Sequence, residues 1–279
     1  MLKVKEGVAF FKKLRDAELA HYASSLSFHT ILALIPLLLI TFSLVTKLPL
    51  FEVYYEKLQG FIFNSLIPTQ QDVMIGYLRE FITNTNNMGA VGMIFVLYIS
   101  IMFFLDYEKI VSKIFEIPKR SFWEALSTYW TMVTLMPLGL ILFFYSSSVV
   151  QEFLDKTAMT NSINFVRFTP YFIIWLLFLI MYSVSAKIKI HLKSALISSF
   201  IASLCWYISK ILFVYYVAYN KTYLSIYGSF SILLFFFLWV YFSWFIYLYG
   251  LKLCFLINKQ EAAQRKPQTK ENEETKSNR

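Results

Sequence analysis

A chain of 279 residues that is 58% hydrophobic and 19% aromatic, with a mean hydropathy of +0.56, is too apolar for an ordinary soluble globule. Its formal charge of +9 raises nucleic acid as a partner, but basic residues in a membrane protein serve first as topology signals beside the helices. The two cysteines, Cys205 and Cys254, have no metal-like spacing, give no sign of an oxidised framework, and read as packing residues.

The opening segment, Met1 to Ala20, places Val4, Val8, Phe11 and Leu14 at helical spacing among five basic residues. That suits an amphipathic helix on anionic lipid heads, over residues 1–22 in all. No short apolar region with a small-residue cleavage site is present, so a cleaved signal peptide is not expected.

From Leu19 to Thr46 the chain has no Asp, Glu, Lys or Arg for 28 residues. At ~1.5 Å per residue, Ala23 to Thr46 is long enough to cross a hydrocarbon core about 30 Å thick. Ser25, His29, Leu32 and Pro36 fall on one face of that helix. The ring of Pro36 frees the carbonyl of Leu32, and a freed carbonyl in lipid needs a neighbour or water, so this face is expected to look into protein.

Five more spans follow, near Met88–Leu105, Ala125–Val150, Phe168–Ala186, Ser194–Ala218 and Tyr227–Leu251. Together they make a six-helix transmembrane domain over residues 23–258. Between the first two spans, Leu48–Phe63 and Val73–Phe81 read as short amphipathic helices at the outer surface, with Pro68 between them. They form either a lid or the mouth of a path. Counting Lys and Arg on alternate sides gives 19 against six, with Lys210 inside a span. The richer side, which holds both termini, is expected in the cytoplasm. This location of the charge also answers the nucleic-acid question in the negative. The tail over residues 259–279 is polar, mixes both signs of charge and reads as disordered.

The chemistry begins with absences. The three histidines, His21, His29 and His191, share no metal-binding turn, and no metal-hydrolase motif, phosphate-cradling glycine loop or nucleophile elbow is present. No enzyme activity and no cofactor are expected. What remains is a set of polar groups at membrane depth, where they are costly and face a bundle interior or a wet cavity. His29 reads either as a titrating relay or as a neutral residue bonded to a neighbouring helix. Lys210 reads either as part of a path or as a snorkelling side chain. Thr134 and Pro137 repeat the first helix's combination, because Pro137 frees the carbonyl of Val133. Tyr227-Gly228-Ser229 opens the sixth span at the outer surface, where packing and anion contact are both open readings.

The run Ser25-Leu26-Ser27-Phe28-His29-Thr30-Ile31-Leu32-Ala33-Leu34-Ile35-Pro36 resembles the first-helix signature of the YihY/BrkB family of bacterial inner-membrane proteins, the UPF0761-like proteins. Trp130, Thr134 and Pro137 match its third-helix pattern, Pro68 and Gly92 suit its outer loop and second span, and Tyr223, Tyr227-Gly228-Ser229, Trp239 and Gly250 match its close. The resemblance covers roughly Phe10 to Asn258. It implies a multi-pass protein of the bacterial cytoplasmic membrane with six helices and cytoplasmic termini. The family has also carried the label ribonuclease BN, now regarded as mistaken, and this chain lacks the histidine-rich cluster a tRNA-processing nuclease needs. His29, Lys252 and Lys193-Ser194 depart from the family's usual residues at their positions.

The expected protein is therefore an all-α membrane protein, transporter-like, with an envelope lipid, another amphiphile or a proton-coupled ion as cargo. The rival is a scaffold protein whose polar residues only hold helices together. The expected path runs along Ser25, His29 and Pro36, opposed by Thr134 and Pro137, with Lys210, Tyr227 and Ser229 toward the outer mouth. Membrane lipids are the expected partners. Oligomeric state and protein partners stay open.

Overall fold

The structure, a computed structural model, describes residues 14, 16–46, 60–61, 64–65, 89–155, 168–228 and 230–277. Among them are seven helices and no strand: α1 (Glu18–Thr46), α2 (Gly89–Ile114), α3 (Phe122–Asp155), α4 (Thr169–Ser185), α5 (Leu192–Tyr219), α6 (Lys221–Tyr227) and α7 (Phe230–Ser277). Three described segments are long and apolar enough to cross a membrane: Phe122–Glu152, Leu192–Tyr219 and Phe230–Ala263. With 17 residues, α4 is a shorter apolar helix. The proposed amphipathic segments 1–22, 48–63 and 73–81 lie largely outside the described residues, although 60–61 and 64–65 are helical.

Burial in α5 is the reverse of that in a water-soluble helix. Over its first half the buried face is Ser194, Ala195, Ser198, Ser199, Ala202 and Ser203, followed by Trp206, Phe213 and Val217, whereas Phe200, Leu204, Ile208, Ile211 and Tyr215 are exposed at helical spacing. Small residues let backbones approach, and large apolar ones meet a solvent as apolar as they are. Opposite that stripe stands Gly250 of α7, where a Cβ would overlap the Tyr182 hydroxyl and the Ala202 Cβ. Cys205 falls on the exposed side, contrary to its reading as a packing residue, while Cys254 is buried.

The main core lies at one end of the bundle. There Leu19, Ala23 and Leu26 of α1 meet Phe104, Tyr107, Ile110 and Val111 of α2, Ala125 and Tyr129 of α3, and Leu248 and Leu251 of α7. The starts of α1 and α3 thus lie beside the end of α2, as an up-and-down bundle requires. A second cluster at the opposite end joins Ile174, Trp206, Phe213, Val217, Phe235 and Trp239.

Two boundaries and one helix face differ from those expected. α2 does not stop at Leu105 but runs to Ile114, because its charged residues have partners inside the bundle. α7 passes Asn258 without a break and is helical to Ser277, across Pro267 and over the segment 259–277 where an irregular tail was expected. In α1 the fully buried stripe is Leu19, Ala23, Leu26 and Ala33. Ser25 and His29 sit beside it, half-buried, and Leu32 is exposed. The expected inward face is therefore displaced toward the apolar stripe, and its polar residues lie at the edge where α2 reaches them.

Candidate functional site

At 3.6 residues per turn, three successive residues of a helix point in three directions. Asp106, Tyr107 and Glu108 of α2 use all three. Asp106 turns to α1, where its Oδ2 accepts a hydrogen bond from Ser25 Oγ at 2.6 Å and lies 3.2 Å from His29 Nδ1. Tyr107, fully buried, places its hydroxyl 2.6 Å from Ser185 Oγ of α4 and 2.5 Å from the Tyr247 hydroxyl of α7.

Glu108 turns to the loop before α3. Its Oε1 accepts the Arg120 backbone N–H at 2.9 Å, and its Oε2 accepts Arg120 Nη1 at 3.1 Å and the Tyr129 hydroxyl at 2.5 Å. The pair is buried, with side chains 4% and 8% exposed. The same guanidinium donates to the carbonyls of Ser185 at 2.6 Å and Val184 at 3.0 Å. These are two of the carbonyls that the end of α4 leaves without helical partners. One arginine therefore closes an ion pair and caps a helix.

Tyr247 also lines a cavity of about 400 Å³ near the middle of the bundle. Thr30 of α1, Val133 and Pro137 of α3, Ile174 and Phe178 of α4, Trp206 of α5, and Trp239, Ser243 and Trp244 of α7 complete most of its wall. Three indole N–H groups are held in that wall. Trp244 donates to Thr30 Oγ1 at 2.8 Å, Trp206 to Ser243 Oγ at 3.0 Å and Trp239 to the Ser65 carbonyl at 3.0 Å. The lining contains no Asp, Glu, Lys, Arg or His among the described residues. The cavity thus offers aromatic and aliphatic surface, with its indole N–H groups already engaged.

The residues expected along a path do not converge. Pro137 lines the cavity, but the Thr134 hydroxyl donates to carbonyls of its own helix, Trp130 and Thr131, each at 3.0 Å. Ser25 and His29 meet Asp106 and are absent from the cavity wall. Lys210 is half-buried, with its ammonium 5.8 Å from the ring centre of Trp206. Tyr227 is exposed at the end of α6. The helix continues through Pro36, but its side chain, like Ser229, lies outside the described residues.

Sequence reasoning took Asp106 as the end of a span and passed over Glu108, Arg120, Tyr107 and Tyr247. A signal for them exists: two acids two residues apart directly after an apolar run, with Arg120 following a short turn. Of the tryptophans in the wall only Trp239 was singled out in the sequence, because indole placement depends on which helices become neighbours.

No solved structure matches the chain. It is 26% identical to the UPF0761 membrane protein of Mannheimia succiniciproducens over 88% of its own length and 86% of that protein's. It is also 26% identical to a Haemophilus influenzae UPF0761 membrane protein, covering 91% of this chain and 95% of the relative, and 29% identical to one from Vibrio campbellii, covering 92% and 85%. The family model described as "Virulence factor BrkB" matches residues 10–275. With nearly the whole chain matched, the protein belongs to the BrkB (YihY) family of membrane proteins.

Proposed function

We propose that this protein is a six-span transporter of the bacterial inner membrane, with both termini in the cytoplasm, and that its cargo is an amphiphile such as an envelope lipid. The observation that carries the reading is the central cavity. An ion or a proton-coupled solute needs charged or freely available polar groups along its way, whereas this wall has no charged side chain among the described residues and its indoles are already hydrogen-bonded. Apolar lining of that kind suits an acyl chain. The reading involves no catalytic step and no cofactor.

A second reading, a non-transporting envelope scaffold, is favoured by a different observation. The two acids of α2 are bonded within the bundle, Asp106 to Ser25 and His29 and Glu108 to Arg120, and this holds helices together without a path.

The deciding experiment is flux of fluorescent phospholipid analogues in proteoliposomes of the full chain. Val133→Trp fills the cavity and should abolish flux. Thr134→Ala, one residue on but outside the wall, should leave it unchanged. Folded wild-type protein that moves no phospholipid analogue would overturn the transporter reading in favour of the scaffold.

A further inference from the structure

The wall between the central cavity and the surrounding lipid is a single layer of side chains between α3 and α4. A second cavity, of about 540 Å³, lies along that seam and shares Met136, Leu140 and Leu177 with the central one. The seam is pinned at both ends. Ser147 Oγ lies 2.5 Å from Thr169 Oγ1 at one, and Arg120 holds the Val184 and Ser185 carbonyls at the other. Between the pins it opens into a slot, flanked by the exposed Leu135 and Ile180. Gly139 lies on its wall, where a Cβ would meet nothing within 4 Å.

At membrane depth such a slot has one available occupant. Left empty, its walls would forfeit dispersion contacts that a neighbouring acyl chain supplies. Burial of apolar surface gives no selectivity here, because the bilayer is equally apolar, so any preference among lipids must come from the headgroup. The slot ends at Ser127 and Val184, where Arg120 binds the Val184 carbonyl and Lys187 pairs with Glu124, and Lys119 and Lys189 adjoin these two basic residues in sequence. Glu108 pairs with Arg120 and Glu124 with Lys187, at 3.1 and 2.8 Å, and the exposed Lys119 and Lys189 leave that rim positive. A basic rim selects anionic headgroups.

We propose that the slot between α3 and α4 is the docking site for one acyl chain of an anionic phospholipid, whose headgroup rests on this basic rim. Met136, Leu140 and Leu177 are then the partition that the chain passes to reach the central cavity. The partition lies beside Pro137, whose ring removes one rung of the α3 hydrogen-bond ladder and leaves the helix able to bend there. This assignment rests on the amphiphile reading for its direction of travel, but the docking site itself is tested apart from flux.

The full chain is placed in vesicles with phosphatidylglycerol carrying a photoactivatable group on its acyl chain, or with phosphatidylcholine carrying the same chain. After illumination, labelled peptides are mapped by mass spectrometry. Phosphatidylglycerol is expected to label residues 131–139 and 176–184 above the rest of the lipid-facing surface, and phosphatidylcholine is not. Gly139→Leu puts its side chain into open slot space at a helical position that favours leucine, so the bundle should fold and the slot label should drop to background. Leu204→Trp, on the exposed face of α5, should leave the label unchanged. Uniform labelling, or slot labelling that Gly139→Leu does not reduce, overturns the site, and equal labelling by phosphatidylcholine overturns the role of the basic rim. Flux without slot labelling removes this inference alone, whereas slot labelling without flux removes only the transporter reading.

Discussion

Glu108 and Arg120 show how a charged residue survives inside an apolar bundle. Burying either alone would cost several kcal/mol, yet each oxygen of Glu108 has a donor, and Arg120 reaches a carboxylate and two carbonyls. Breaking such a pair from one side leaves an uncompensated buried charge. Arg120→Met should therefore destabilise the bundle by about 3–5 kcal/mol, seen as a lowered thermal midpoint in detergent. Adding Glu108→Gln to that variant should restore part of the loss, because it removes the orphaned charge. A double variant no more stable than Arg120→Met would show that the arginine acts only as a cap on α4. Residues of this kind were hard to read from the chain, since a lone Glu or Arg near a span end resembles a topology signal until its partner is known. His29 shows the same limit: its place on a long apolar helix was legible, but its partner Asp106 was not.

The long helices were legible because each carries a long run of apolar residues. Their ends were less so. α2 outlasts its apolar run by about two turns, since Asp106, Tyr107 and Glu108 bond sideways to α1, α4, α7 and the loop before α3. Glycine marks a second difference between pattern and packing. Gly250 and Gly139 look alike in sequence, yet one is pressed against Tyr182 and Ala202 and the other faces open space. Gly250→Val should cost about 1–3 kcal/mol or more by driving α7 off α4 and α5. Gly139→Ala should be neutral or stabilise α3 by up to about 1 kcal/mol. Thermal unfolding of the two variants side by side checks both, and equal losses would mean that helix propensity, not close approach, decides at Gly250.

For the whole molecule, the exposed aliphatic and aromatic side chains of α5 and the small polar ones within give the sense of the fold: the solvent is lipid. Overall class was therefore readable from composition, whereas the site was not, because cavities form where helices fail to fill the space between them. The proposed topology places the Lys187–Lys193 turn and the α6 segment on opposite sides. In a variant lacking native cysteines, Lys189→Cys should react with an impermeant maleimide only after the membrane is opened, and Thr222→Cys should react in intact spheroplasts. The opposite pattern would invert the orientation.

The short length of α4 has a consequence for the bilayer itself. Seventeen residues rise only ~26 Å, several ångströms less than a hydrocarbon core of about 30 Å. Where Arg120 binds the Val184 and Ser185 carbonyls, a cation sits at the very depth where acyl chains would otherwise begin. Under the six-span reading, lipids beside α4 sink toward that end to cover it, at a cost of fractions of a kcal/mol per ångström of mismatch. That reading therefore carries a locally thinned membrane along the slot, with the shortest hydrophobic distance between leaflets beside the partition.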